Sequence, residues 1–123
     1  MKKILCVEDE LEQVEIIRKR LEKLKYKVIA AKDGQEGLEK AYKEKPDLIL
    51  LDIYMPKVDG FQVCKTLKND PKTKHIPIIM VTASGVKYVN DQTQGVQADA
   101  CILKPYELPD LIAKIKVLLK EIG

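Results

Sequence analysis

Hydrophobic positions along the chain follow two rhythms. Five short runs of aliphatic and β-branched residues, at 3–7, 27–31, 48–51, 78–81 and 100–103, have the length and make-up of strands. Between them, apolar residues recur at three and four, the spacing of one helix face. Leu11, Val14, Ile17, Leu21 and Leu24 make such a stripe over 11–25, and Leu108, Leu111, Ile112, Ile115, Leu118, Leu119 and Ile122 make another over 108–122. Shorter helices are predicted at 35–45 (Leu38, Ala41, Tyr42) and 60–69 (Phe61, Cys64, Leu67), each preceded by an Asp or Gly suited to capping. The weakest is a helix at 86–96, where Asn90, Asp91, Thr93 and Gly95 are poor helix formers. Five strands alternating with five helices predict a doubly wound α/β domain around a parallel sheet, and the unbroken run Leu48-Ile49-Leu50-Leu51 suits its buried centre.

Composition narrows the class. With 123 residues, 46% hydrophobic and 33% charged, one compact domain over 1–123 is expected, with no output domain attached. Folding at this length buries roughly two-thirds of the unfolded chain's surface, so no disulfide or structural metal is required. Cys6, Cys64 and Cys101 are odd in number and widely spaced, with His75 the only histidine, which argues against a zinc or iron–sulfur site and for a reducing, cytoplasmic setting. No apolar run approaches the roughly 20 residues of a membrane helix, and the first one ends at Glu8, so neither a membrane span nor a signal peptide is expected. The formal charge is +3, from 22 basic and 19 acidic residues, with lysines dispersed among glutamates; this gives no support for direct contact with nucleic acid or a membrane.

In a doubly wound sheet, ligands bind beyond the carboxyl ends of the strands. The first strand ends in Glu8-Asp9, the third in Asp52, the fourth in Thr82, and the fifth in Lys104-Pro105. Taken singly, these are a helix cap, a loop-initiating acid, a β-forming threonine and a solvated lysine. Taken together, they place three acids at one sheet edge, where two carboxylates about 4 Å apart repel by about 4 kcal/mol at an effective dielectric of 20. Lys104 offsets part of that repulsion. An all-oxygen cluster with few protein ligands suits a hard divalent ion, Mg²⁺ before Ca²⁺. A carboxylate, a divalent ion, a lysine and a hydroxyl are the parts needed for phosphoryl transfer onto an aspartate. Asp52 is the best acceptor, since the adjacent Glu8 and Asp9 share the metal and leave Asp52 opposite them.

These residues resemble the receiver domains of two-component response regulators, in particular the chemotaxis-regulator-like ones. The stretch Asp52-Ile53-Tyr54-Met55-Pro56-Lys57-Val58-Asp59-Gly60 is similar to the family's Asp-x-x-Met-Pro-x-x-Asp-Gly, and Glu8-Asp9, Val81-Thr82-Ala83 and Lys104-Pro105 follow the family's order over the whole chain. The resemblance implies a flavodoxin-like (βα)5 fold with strand order 2-1-3-4-5. It implies that Asp52 accepts phosphate from a sensor histidine kinase or phosphotransfer protein. Asp9, Asp52, the backbone carbonyl of Tyr54 and, through water, Glu8 would hold Mg²⁺, while Thr82 and Lys104 contact the phosphoryl group. A cis Lys104–Pro105 peptide is also implied, and so is a change of protein-contact surface for a downstream partner. Such a chain phosphorylates and dephosphorylates itself without being a turnover enzyme; a monomer is expected, with dimerisation on phosphorylation left open.

The sequence departs from the family pattern at one position. Three residues before the lysine the family carries Tyr or Phe, which turns inward when the hydroxyl residue follows the phosphate; this chain has Cys101, and Tyr106 lies elsewhere. With the weak 86–96 segment, that departure suggests an alternative, a phosphorylation-independent protein-interaction module on the same scaffold. Haloacid-dehalogenase-type phosphatases need a second Asp where Tyr54 stands, and the acids at 8–10 would repel a flavin phosphate.

Overall fold

A computed structural model describes residues 1–53, 60–82 (of Thr82 the backbone) and 98–121. Strands β1 (Lys3–Val7), β2 (Lys27–Ala31), β3 (Leu48–Asp52), β4 (Ile78–Thr82) and β5 (Ala100–Leu103) pair in parallel in the order β2-β1-β3-β4-β5. The described helices are α1 (Leu11–Lys23), α2 (Gly34–Glu44), α3 (Gly60–Lys68) and α4 (Leu108–Leu118). This is the flavodoxin-like order expected above. The helix predicted at 86–96 lies outside the described residues.

The central strand explains its own composition. All five residues of β3 are buried, between β1 and β4 on its edges and helices on its faces. Successive strand residues point to opposite faces, so Leu48 and Leu50 join Ile4, Cys6, Val14, Ile17, Leu111 and Ile115 in one core. Ile49 and Leu51 join Leu5, Val7, Val63, Cys64 and Leu67 in the other. Each such side chain removed from water contributes roughly 1.5–3 kcal/mol against the entropy of ordering the chain. Cys6 and Cys64 belong to these cores and are free thiols, with Cys6 pushed up to about 12 and Cys64 to about 11, chiefly by burial.

Two helices end sooner than their apolar stripes suggest. The pattern predicts helix to 25 and 122, but α1 stops at Lys23 and α4 at Leu118. Each ends in the same paired closure. The Tyr26 N–H donates to the Leu21 carbonyl (3.1 Å) and Lys25 N–H to Glu22 (3.0 Å); Glu121 N–H donates to Lys116 (2.8 Å) and Lys120 N–H to Val117 (3.1 Å). The closure requires a left-handed residue, and Lys25 (φ 72°) and Lys120 (φ 59°) supply it without being glycine. Apolar periodicity runs on through such a turn, so the pattern overshoots. At the start of α2, Asp33 accepts from the Glu36 N–H (2.8 Å) and Glu36 accepts from the Lys32 N–H (2.7 Å), as the sequence suggests for an aspartate cap.

Candidate functional site

Period-two alternation assembles the site. β1 and β3 run in register with Val7 opposite Leu51, so Glu8 comes abreast of Asp52 at the carboxyl edge. On the other side Thr82 pairs with Leu103, and Lys104 follows. Glu8 lies two residues beyond Cys6, Asp52 two beyond Leu50, and Lys104 two beyond Ile102, and those three belong to one core. The three polar side chains therefore continue one apolar face past its edge, and they meet. Lys104 Nζ lies 3.0 Å from Glu8 Oε1 and 3.3 Å from Asp52 Oδ2.

Glu8 and Asp52 are buried, at 6% and 7% exposure, and the Lys104 side chain reaches them from a position 24% exposed. Burial alone pushes the Lys104 ammonium down. The Glu8 hydrogen bond and the charges of Asp52 and Glu8 outweigh that push, so its pKa is raised. The second Glu8 oxygen, Oε2, accepts from the Glu10 N–H at 3.2 Å, which fixes the carboxylate from both ends.

Asp9 is exposed and is not a cap: the residue at the start of α1 is Glu10, which makes no side-chain capping bond. Desolvation, then a hydrogen bond and charge from Glu8, raise the Asp9 pKa. One carboxylate oxygen each from Glu8, Asp9 and Glu10 lies within 4.8 Å of the others, which fits a hard divalent ion. Among the described residues this cluster includes Glu10, which the expected ligand set omitted, and Asp52 meets it through Lys104. Three acids in a row at 8–10 were the available signal. Of the remaining expected site groups, Tyr54 and its backbone carbonyl and the Thr82 hydroxyl lie outside the described residues. The Lys104–Pro105 peptide is cis.

Gly60 holds the strand end that carries Asp52 from the other side. Its N–H donates to the Ile53 carbonyl at 2.9 Å, and a Cβ there would lie 2.6 Å from Ile53 Cα and 2.7 Å from the Asp52 carbonyl oxygen. Only glycine lets α3 start that close to the end of β3. Cys101 is exposed on β5, and desolvation raises its thiol pKa.

The chain belongs to the response regulator receiver domain family, whose model matches residues 4–116. It is 41% identical over 121 residues to the alkaline phosphatase synthesis transcriptional regulatory protein PhoP of Bacillus subtilis, covering 97% of this chain and 49% of that one. Over 115 residues it is 37% identical to the polar-differentiation response regulator DivK of Brucella anthropi, covering 94% of each. The chain thus spans about half the length of the first of these relatives and nearly all of the second. Among solved structures, the response regulator TrrA of Thermotoga maritima, in complex with Mg²⁺-BeF, matches with a TM-score of 0.84 and 31% identity over 96% of this chain and 99% of that one. Among the described residues no helix is long and apolar enough to cross a membrane.

Proposed function

We propose that the chain is a phosphoryl-accepting switch and that Asp52 is the acceptor. The observation that carries this reading is the buried Asp52 carboxylate at a strand end, 3.3 Å from an ammonium that also holds Glu8. A carboxylate in that setting is held in place by Lys104, oriented for attack. Its oxygen forms a bond to phosphorus while the phosphorus–nitrogen bond of a phosphohistidine breaks, and the departing imidazole takes up a proton. Lys104 then faces the negative oxygens of the transferred group, where its charge has the most effect. Glu8, Asp9 and Glu10 would hold Mg²⁺ beside Asp52, and the ion, when bound, neutralises charge on the phosphoryl oxygens. The Mg²⁺-BeF complex of TrrA supports magnesium as the ion.

The donor is a sensor histidine kinase or a phosphotransfer protein. A groove of about 580 Å³ between α1 and the segment after β5, lined by Gln13, Ile16, Ile17, Lys104, Pro105 and Leu108 among others, opens next to the acids and offers it a seat. Leu11 and Ile16 on α1 are exposed at 76% and 50%, more apolar surface than a solvated helix face needs. Output passes to a protein partner.

The test is intact mass after incubation with phosphoramidate and Mg²⁺. Wild type is expected to gain one phosphoryl group, and Asp52→Asn or omission of Mg²⁺ to prevent it. An equal gain in Asp52→Asn would move the acceptor elsewhere, and no gain in wild type that binds Mg²⁺ would favour the phosphorylation-independent module.

A further inference from the structure

The sheet ends on β2, which pairs with β1 on one side and, among the described residues, with no strand on the other. Two bonds fix the phase of its backbone: the Lys27 N–H donates to the Lys2 carbonyl at 2.8 Å, and the Ala31 carbonyl accepts from the Glu8 N–H at 2.9 Å. Residues two apart on a strand send their N–H and C=O groups the same way, so Lys27, Ile29 and Ala31 face β1 while Val28 and Ala30 face outward. Both outward carbonyls are taken. Arg18 Nη1 donates to the Val28 oxygen at 3.0 Å, and Lys40 Nζ donates to the Ala30 oxygen. The two cations come from opposite faces of the sheet, since α1 belongs to the core that holds Val28 and α2 to the core that holds Ala31. Acids on the same helices steady them: Arg18 lies 3.5 Å from Glu15 and 3.8 Å from Glu22, and Lys40 lies 3.9 Å from Glu36.

We infer that Arg18 and Lys40 guard the free side of β2 against a second copy of this chain. An open row of backbone N–H and C=O groups is a template for another strand. Two copies related by a two-fold axis would present this same row to each other and pair β2 with β2 antiparallel. That pairing needs the Val28 and Ala30 carbonyls as acceptors and needs room beside them. Here charged donors hold both acceptors, by bonds stronger than the neutral ones that would replace them. The same side chains place positive charge along the line where the strands would meet, so two copies would bring like charges face to face. Arg18 follows the buried Ile17 and Lys40 precedes the buried Ala41, so core packing fixes where each cation reaches. The guard belongs to the fold itself and involves no phosphoryl chemistry.

The test is the mass of the full chain in solution, measured by sedimentation over a wide range of concentration without phosphodonor or Mg²⁺. The double variant Arg18→Met/Lys40→Met is expected to shift from monomer to dimer at concentrations where wild type stays monomeric. Arg20→Met/Lys43→Met makes the same change of charge on the same two helices, at exposed residues with no bond to β2 among the described residues, and is expected to stay monomeric. Amide exchange read residue by residue by NMR locates the contact. The Val28 and Ala30 N–H groups are expected to slow several-fold in the dimer, whereas Ile29, which already faces β1, keeps its rate. A monomeric Arg18→Met/Lys40→Met protein overturns the guard, as does equal dimerisation of the Arg20→Met/Lys43→Met control. A dimer in which Val28 and Ala30 do not slow overturns it too, because the contact then lies elsewhere. Each single variant frees one carbonyl and is expected to dimerise more weakly than the double; should the double variant not fold, two monomeric single variants overturn the inference.

Discussion

Two lysines hold the two edges of the sheet, and they hold them differently. At the amino edge Lys68 Nζ meets Asp99 Oδ2 at 2.7 Å, the Ile76 carbonyl at 2.7 Å and the Lys74 carbonyl at 3.2 Å. The same Asp99 oxygen accepts the Ile78 N–H at 2.8 Å. One cation faces one anion there, and the three protons of the ammonium all have acceptors. At the carboxyl edge, among the described residues, Lys104 bridges two buried carboxylates while Asp9 and Glu10 stand beside them. The first arrangement is closed and neutral, and its product is stability. The second keeps an excess of negative charge among the described residues, which further positive charge would offset.

The largest expected effect separates the edges by removing each lysine. Lys104→Met leaves Glu8 and Asp52 without their shared cation and should slow phosphorylation from phosphoramidate by about 100-fold, the scale seen when a charge-stabilising group is lost. Its urea midpoint should fall in the absence of Mg²⁺ and recover in part when Mg²⁺ is added, because a divalent cation can replace the missing charge. Lys68→Met should lose about 2 kcal/mol, having left Asp99 and two carbonyls short of a donor, with phosphorylation unchanged and no special recovery with Mg²⁺. Equal recovery of both variants with Mg²⁺ would abolish the distinction between the edges.

Much of this arrangement is legible in the sequence, for a definite reason. The strands are short, nearly pure in β-forming residues, and separated by clean helical stripes, so their order along the chain could be read directly. Glu8, Asp52 and Lys104 also carry their meeting in their spacing, each two residues past an apolar residue of one core face. What stays hidden depends on contacts across the fold. Nothing in the pattern marks Lys25 and Lys120 as left-handed closures, because neither is the glycine that usually signals one. Nor does it mark Lys68 as the partner of Asp99, 31 positions away by their numbers.

A smaller effect sharpens the geometric half of the comparison. In Gly60→Ala the new Cβ would meet backbone, 2.6 Å from Ile53 Cα and 2.7 Å from the Asp52 carbonyl, so either the start of α3 or the strand end at Asp52 must shift. In Gly37→Ala the Cβ would meet only the Val7 side-chain methyls, at 3.0 Å. Gly60→Ala should lose about 1–3 kcal/mol, as overpacking against a fixed wall does, and should also slow phosphorylation. Gly37→Ala should lose stability without that slowing. Both are read from urea melts and phosphorylation rates side by side, and a normal rate in a destabilised Gly60→Ala would mean that the acceptor's position does not depend on this contact.

The smallest effect concerns Asp9, the exposed member of the acid cluster. Its pKa is raised by desolvation and by Glu8, so the fold without a metal favours its protonated form relative to an unfolded chain, in which Asp titrates near 3.9. The sign follows from the charge excess. As pH rises through the Asp9 pKa, its ionisation adds repulsion and the metal-free fold loses stability; as pH falls, that repulsion is relieved. Mg²⁺ held by this cluster would reverse the preference, because binding the carboxylate would displace the proton. Mg²⁺ affinity, measured by calorimetry in a series of buffers from neutral pH downward, should therefore weaken as pH falls into the range just above the ordinary Asp value. Part of that slope should be missing in Asp9→Asn, whose side chain has no proton to displace. An identical slope in the two proteins would show that Asp9 is a bystander at this edge.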